Sequence, residues 1–551
     1  MWEAVQMFRE NKEHLNKSMF CTIDSMDPRY AKEIEEGWAG LFYKHVFCSI
    51  DEKLFEPLYS KDMGRPNTPV NILVGLEIIK HTWNYTDEQL FGALCSDYKV
   101  NYALGIRELG SFYVGDRTVY DFRKRLLAYT LSNPEKGTII FQLFKELTDN
   151  FANLLGISKQ ELRMDSTMIE PNIKKAGRLA LAFDVLRQAV KVIPNAKRTD
   201  SLNEVLEPRF KTRILYRVES EKLTSNLDYL LQLADQSLKI ANRLPEVAVT
   251  EEIKILMRFL EEQTIFDEKR KKLKAKQAFT ISANSLQSAY DPDATYRDKR
   301  GKKSSGYSVN VTETCGEDNP IQLIVDYMVE KNTISDTEFL KKALPNIDKK
   351  TTVYLDGGYS STELWQEAKS KNVDLMFTDM TGSKPDPDKL PLSSFDVVTK
   401  ENEETILSCP AGHKPLYCYF NEDSYSARFD IHICEACPMN SQCPTKLKKR
   451  YGILKFSKKS YITSLVRAEC FDREVLLKSL SKRAGVEGCI SGLKLGQELA
   501  QLPVRGKLKI DYYTELKMIA ANVKRLIRGV KIMLEKGIPI HQGRSAPIYS
   551  T

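Results

Sequence analysis

Apolar residues recur at helical spacing through the first part of the chain. Ile72, Leu73, Leu76, Ile79 and Trp83 share one helical face. Asn67-Thr68-Pro69-Val70 reads as the start of that helix, with Thr68 as N-cap and Pro69 at the first helical position. Thr86-Asp87-Glu88-Gln89 is a capping box that opens a second helix through Leu90 and Leu94. Asp116-Arg117-Thr118-Val119 opens a third, with Val119, Phe122 and Leu126 as its apolar stripe and Arg117, Arg123, Lys124 and Arg125 on its other face. Short helices ending in one with a basic face suit a helix-turn-helix-like DNA reader, and equally a plain bundle with a charged surface. Residues 138–155 predict a further amphipathic helix through Ile139, Ile140, Leu143, Phe144 and Leu147.

The pattern then changes period. Gln160 to Glu170 is short and apolar around Asp165, which fits a strand carrying a carboxylate, or a turn or cap. From 172 to 275 the chain reads as long, charge-rich helices without strand signal; Leu179, Leu181, Val185, Leu186 and Val190 make one stripe, and Leu227, Leu230, Leu231 and Leu233 belong to another. Strand character returns at 305–329, in Tyr307 to Val311 and Ile321 to Val325, followed by a helix over Thr337–Leu344. Thr351 to Leu355 predicts a buried strand that runs into Asp356-Gly357-Gly358-Tyr359. Trp365 falls in the next helix, and Val373 to Phe377 forms another short strand. Strands alternating with helices indicate an α/β core. An acid at the carboxyl end of a buried strand stands where sites form in open α/β sheets, although an Asp-Gly turn explains the same residues. Beyond Leu465 the chain is helical, and its last dozen residues read as a polar tail.

At 551 residues the chain exceeds one ordinary core. No apolar run approaches the roughly 18 residues of a membrane span, and Met1-Trp2-Glu3-Ala4 lacks a secretory pattern. The expectation is a cytosolic protein with no membrane partner. The net charge of +8 is mild, but Lys269 to Lys272, Lys446 to Arg450, and Lys524, Arg525, Arg528 and Lys531 are basic clusters. Together they favour a polyanion partner.

Five of the 11 cysteines fall in one interval: Cys409, Cys418, Cys434, Cys437 and Cys443. The Cys434-Glu435-Ala436-Cys437 pair with Cys443 and Cys409 matches tetrahedral structural Zn²⁺, with Cys418 and His413 as alternative ligands. A closed four-thiolate site leaves no position for substrate. Around Ser481 to Lys494, helical spacing brings Arg483, Glu487 and Lys494 near one face, an acid between two cations. That suits a site for metal and phosphate, or an ordinary surface pair. Gly485, Gly488 and Gly492 weaken such a helix by about 1 kcal/mol each, and would let the sheet or a nucleic-acid backbone approach.

Asp165-Ser166-Thr167, Leu355-Asp356-Gly357-Gly358-Tyr359 and Arg483-x3-Glu487-x6-Lys494, in that order, resemble the three motifs of the DDE transposases of bacterial insertion sequences. Gly64-Arg65-Pro66, Asp116-Arg117-Thr118 and Phe122 to Leu126 resemble the DNA-binding segment of one large group. The Cys-Pro-x-Gly…Cys-x2-Cys-Pro…Cys insert resembles that of one branch. One position departs: the group's Tyr falls at Leu480, which offers no hydroxyl.

The resemblance implies an α/β fold with an RNase H-like mixed-sheet core, the strand of the first Asp central and that of the second beside it. It implies an N-terminal helical DNA-binding domain (1–155), a first core strand (156–171), a helical insertion (172–275), the main core (276–400), a zinc-ribbon-like insert (401–460) and C-terminal core helices with a tail (461–551). Asp165, Asp356 and Glu487 are the implied ligands of catalytic Mg²⁺ (or Mn²⁺), and Arg483 and Lys494 the implied phosphate contacts. The implied activity is binding of terminal inverted repeats in double-stranded DNA, two-metal-ion strand cleavage and strand transfer to target DNA. A homodimer on DNA and a cytoplasmic, nucleoid-associated location in a bacterium follow. The alternatives are a catalytically inactive, transposase-derived DNA-binding protein, for which Leu480 and the glycines speak, and a stand-alone nuclease.

Overall fold

The apolar segment around Asp165 becomes a strand with Leu162, Met164 and Ile169 among its buried residues. The computed structural model describes residues 8–540 apart from 17–20, 61–65, 175–176, 217–219, 269–271, 300, 381–385, 401–402 and 422–423. Gly64 and Arg65, the Lys269 to Lys271 cluster and the C-terminal tail therefore lie outside the described residues.

A six-stranded mixed sheet forms the centre. Its strands are β1 (Glu161–Ile169), β2 (Thr295–Lys299), β3 (Lys302–Thr314), β4 (Ile324–Lys331), β5 (Thr352–Leu355) and β6 (Asp374–Phe377). β1 is central: it pairs antiparallel with β3 on one side and parallel with β5 on the other. β5 pairs parallel with β6, and β4 and β2 both pair antiparallel with β3. The Asp165 strand is thus in the middle, and the strand leading to Asp356 lies beside it.

Helices cover both faces. On one side, α1 (Val70–Trp83), α2 (Asp87–Ser96), α3 (Asp116–Ser132) and α4 (Ile139–Leu155) share a single apolar core with β3, β4 and a long C-terminal helix, Lys507–Glu535. On the other, a helix at Asp336–Ala343 and one at Thr362–Ser370 pack with β5, β6 and the helix Lys458–Cys470. Residues 178–289 build their own core, inserted between β1 and β2.

Several expectations need correction. The α1 helix begins one residue later than expected, with Pro69 at the N-cap and no side-chain cap from Thr68. The buried Glu52 caps it instead, accepting from the amides of Val70 at 3.0 Å and Asn71 at 3.2 Å. The capping box at Thr86 forms with Gln89. Arg123 is not on an exposed basic face: it is clamped to Glu77 at 2.6 Å and Asp87 at 2.7 Å, while Arg117 stays exposed. The helical insertion does contain strands, a hairpin of Thr264–Asp267 and Lys272–Ala275. In the cysteine-rich segment, Tyr417–Asn421, Ser424–Asp430, Lys446–Leu447 and Tyr451–Ser457 form a four-stranded antiparallel sheet.

The helix that carries the third motif, Arg473–Ser491, lies on β1 and β5. Lys482 Nζ reaches Glu161 Oε2 at 3.0 Å and donates to the Cys315 carbonyl at 3.1 Å. Arg163 donates from Nη1 to the Lys482 carbonyl at 3.1 Å. Gly485 permits this approach, since a Cβ there would stand 1.8 Å from Arg163 Nη1. Gly488 and Gly492 face open space. Gly485→Ala is therefore expected to destabilise the protein by about 1–3 kcal/mol through overpacking, despite its better helix propensity. Gly488→Ala is expected to stabilise it by up to about 1 kcal/mol. Urea denaturation of the two variants checks the pair; equal effects would contradict it.

Candidate functional site: carboxylates around Arg483

Extending the parallel β1–β5 register beyond Arg163↔Tyr354 brings Asp165 beside Asp356. Asp165 Oδ1 accepts from the Ser166 amide at 2.8 Å. Asp356 caps a short turn, its Oδ1 accepting from the Gly358 amide at 2.8 Å. The Asp-Gly turn and the site are thus the same feature: one oxygen holds the turn and the other is free to face the neighbouring helix.

From that helix, one guanidinium touches all three expected carboxylates. Arg483 Nη2 donates to Asp165 Oδ2 at 3.2 Å and lies 3.7 Å from Asp356 Oδ2. Its Nη1 lies 3.7 Å from Glu487 Oε1. Glu487 is the outermost, with its side chain 71% exposed. Lys494 sits in a π-helical turn, Gly492–Gly496, that continues the same helix. Burial, then the nearby Lys302, lowers its ammonium pKa, and the charge of Asp165 acts the other way. Leu480 is on the same helix and 44% exposed.

A fourth carboxylate, not anticipated from sequence, joins them. Asp336 opens the helix after β4, and its Oδ1 accepts from Ser166 Oγ at 2.7 Å. Ser166 also engages the hydroxyl of the buried Tyr359, which accepts from Asn310 Nδ2 at 2.6 Å. A Cβ at Gly358 would lie 2.8 Å from Asp336 Oδ2 and 3.0 Å from Asp356 Oδ1, so a side chain here would displace one of these carboxylates. The available signal was an acid just after a strand, Ser335-Asp336-Thr337-Glu338, which reads first as a helix cap; Ser335 does cap, accepting from the Glu338 amide.

Burial pushes the Asp165 carboxyl up to about 6, with Asp356 and Asp336 adding to the shift; the Ser166 amide and Arg483 oppose it. Crowded acids against one cation favour uptake of positive charge. The all-oxygen donor set suits a hard divalent ion in kind. It is not preassembled: among the described residues, no three His, Cys, Asp or Glu approach closely enough to hold a metal ion, and Arg483 occupies the space between the acids.

The cysteines, among the described residues, are likewise not gathered into a metal-holding group. Cys409, Cys434, Cys437 and Cys443 line one cavity of about 40 Å³ together with His413. Burial and the other three thiols raise the Cys434 pKa, and Cys443 Sγ bonds Thr445 Oγ1 at 3.2 Å. Cys418 is apart, accepting from the Ile406 amide.

Residues 408–527 match the family described as Transposase DDE domain. The match supports a DDE-type transposase. It takes in the four cysteines, Arg483, Glu487 and Lys494, and leaves Asp165 and Asp356 outside. A solved piggyBac transposase synaptic complex with hairpin DNA is similar at 9% identity over 73% of this chain and 77% of that one, with a TM-score of 0.23. No curated protein matches the chain. Among the described residues, no helix is long and apolar enough to cross a membrane.

Because the folded state holds Asp165 with a raised pKa, its ionisation costs stability as pH climbs from the ordinary carboxylate range through about 6. Without divalent ions, Asp165→Asn is expected to be more stable than the wild type by about 1–3 kcal/mol near pH 8. The gap should close toward pH 4. Thermal unfolding across this range checks it, and a variant no more stable at pH 8 would contradict it.

Proposed function

We propose that the chain binds the terminal inverted repeats of a bacterial insertion sequence, cuts DNA at their ends and joins the freed 3′-hydroxyls to target DNA. The proposed framework is an RNase H-like core. The observation that carries this reading is the Arg483 guanidinium spanning Asp165, Asp356 and Glu487, three acids from distant positions in the motif order of the family. Asp165, Asp356 and, after a shift of Arg483, Glu487 would hold Mg²⁺ or Mn²⁺. Such ions supply activation of a water or 3′-hydroxyl and charge stabilisation at an in-line displacement on phosphorus.

The chain's own residues do the rest. Arg483 offsets the clustered carboxylates and would turn to a phosphate oxygen with metal held by them. Lys494 supplies a second cation on the same side. Ser166, Tyr359 and Asp336 fix the ends of β1 and β5 so that the carboxylates stay in position. On the N-terminal side, exposed Arg117 and Lys124 of α3 are proposed to meet DNA phosphates, Arg123 being committed internally. Two copies on paired DNA ends, working in the bacterial cytoplasm at the nucleoid, complete the proposal.

The four cysteines around one cavity support a structural Zn²⁺ that would draw them together. About one zinc per chain in the purified protein, lost with Cys434→Ser, is the expected metal analysis; zinc-free protein with an intact fold would remove this part.

A second reading, a DNA-binding protein without catalysis, is favoured by the exposure of Glu487 and by Leu480. Mg²⁺-dependent nicking of labelled repeat DNA separates the two. Asp165→Asn, Asp356→Asn and Glu487→Gln are expected to lose on the order of 10³-fold or more in cleavage while still shifting repeat DNA in gels. Undiminished cleavage by Asp356→Asn would overturn the assignment, and repeat binding by a wild type that never cuts would establish the second reading.

A further inference from the structure

The four-stranded sheet of the cysteine-rich module has two unlike faces. Tyr425, Ala427, Phe429, Leu454 and Phe456 point inward and are at most 8% exposed. The positions between them point out. Tyr417 pairs across the strands with Arg428 and Tyr419 with Ser426, and Ser426 pairs with Lys455. Tyr417 is 54% exposed and Tyr419 50%.

Two half-exposed tyrosines stand on this solvent face next to cations. Here they line an open hollow of about 570 Å³ with Ser424, Ser426, Arg428 and Lys455. The Arg428 guanidinium lies 4.7 Å from the Tyr451 ring centre and 5.8 Å from that of Tyr417, so the planar cation is held among rings. The basic run Lys446 to Arg450 adjoins the face through the turn into Tyr451. The acid on this face, Asp430, is occupied in capping the short helix that follows, accepting from His432 and Ile433 amides. Flat rings, a stacked guanidinium, hydroxyls and lysines on one sheet face are the means by which proteins hold unpaired nucleic acid: bases stack on the rings and phosphates meet the cations.

We propose that this face binds unpaired DNA bases, holding single-stranded or unstacked nucleotides while the carboxylate site acts on the neighbouring backbone. The inference rests on the reading of the chain as a DNA-processing enzyme. The module is joined to the catalytic side without a flexible linker: Tyr451–Ser457 leads directly into Lys458–Cys470, which Ser457 caps and whose Ile462, Val466 and Cys470 sit in the core beneath β5 and β6. The face and the site therefore belong to one body. Arg428 and Lys455 give charge complementarity to DNA, and the tyrosines give a preference for bases freed from the helix.

The test is fluorescence anisotropy with the full chain in EDTA, which keeps cleavage silent. The probes are a labelled oligothymidine of about a dozen nucleotides, within the usual site sizes for such surfaces, and a blunt duplex of similar length. The double variant Tyr417→Ala/Tyr419→Ala is expected to bind the oligothymidine about 10- to 100-fold more weakly and the duplex nearly as well as the wild type. Tyr417→Phe/Tyr419→Phe, which keeps the rings and guards against a folding defect, is expected to retain binding. Unchanged single-strand affinity in the alanine variant would overturn the proposal. Equal loss on both probes would overturn it too, since that is the mark of a merely charged surface. Binding is read in the absence of cleavage, so this proposal and the cleavage reading can fail separately.

Discussion

Glu313 is buried between two arginines, and the geometry of the whole carboxylate site follows from that. Its carboxylate is 2% exposed and meets Arg163 at 2.6 Å and Arg525 at 2.8 Å. Arg163 comes from β1, two residues before Asp165, and Arg525 from the long C-terminal helix. The same Arg163 guanidinium reaches the carbonyl next to Arg483. One buried triad thus ties the central strand, its neighbour, the C-terminal helix and the third-motif helix together. Removing one member would strand a buried charge at a cost of about 3–5 kcal/mol, which makes the spacing between sheet and helix hard to alter.

On that fixed spacing, the site is built against its own stability. Asp165, Asp336 and Asp356 crowd the ends of β1 and β5, while Arg483 answers Asp165 and Asp356 and Ser166 holds Asp336. Burial first, then the neighbouring acids, holds the Asp165 pKa up against the pull of the Ser166 amide and Arg483. Such an arrangement is stable enough to fold and remains poised to accept further positive charge.

Much of this could be read from the chain. Asp165 and Asp356 sat in short apolar runs with strand period, and Arg483 and Glu487 in a helical repeat; those periods reflect burial, so the fold keeps them. What escaped was non-local. Glu52 caps α1 from 18 residues upstream, displacing the local cap at Thr68. Arg123 looked like surface charge until Glu77 and Asp87, on two other helices, enclosed it. Asp336 drew no notice because its partner Ser166 lies 170 residues away in sequence. The sheet of the cysteine-rich module was masked by its glycines, prolines and charged turns. Gly485 was foreseen as a place of close approach, and the partner turned out to be the sheet, through Arg163.

The most direct measurement loads the protein with Fe²⁺ in place of Mg²⁺ and maps where locally generated radicals cut the polypeptide. If Asp165, Asp356 and Glu487 hold the ion, fragments should end near all three positions, disappear in Asp165→Asn and be suppressed by excess Mg²⁺. Cuts confined to the cysteine-rich module, or a pattern unchanged by Asp165→Asn, would contradict a metal centre at the Arg483 carboxylates.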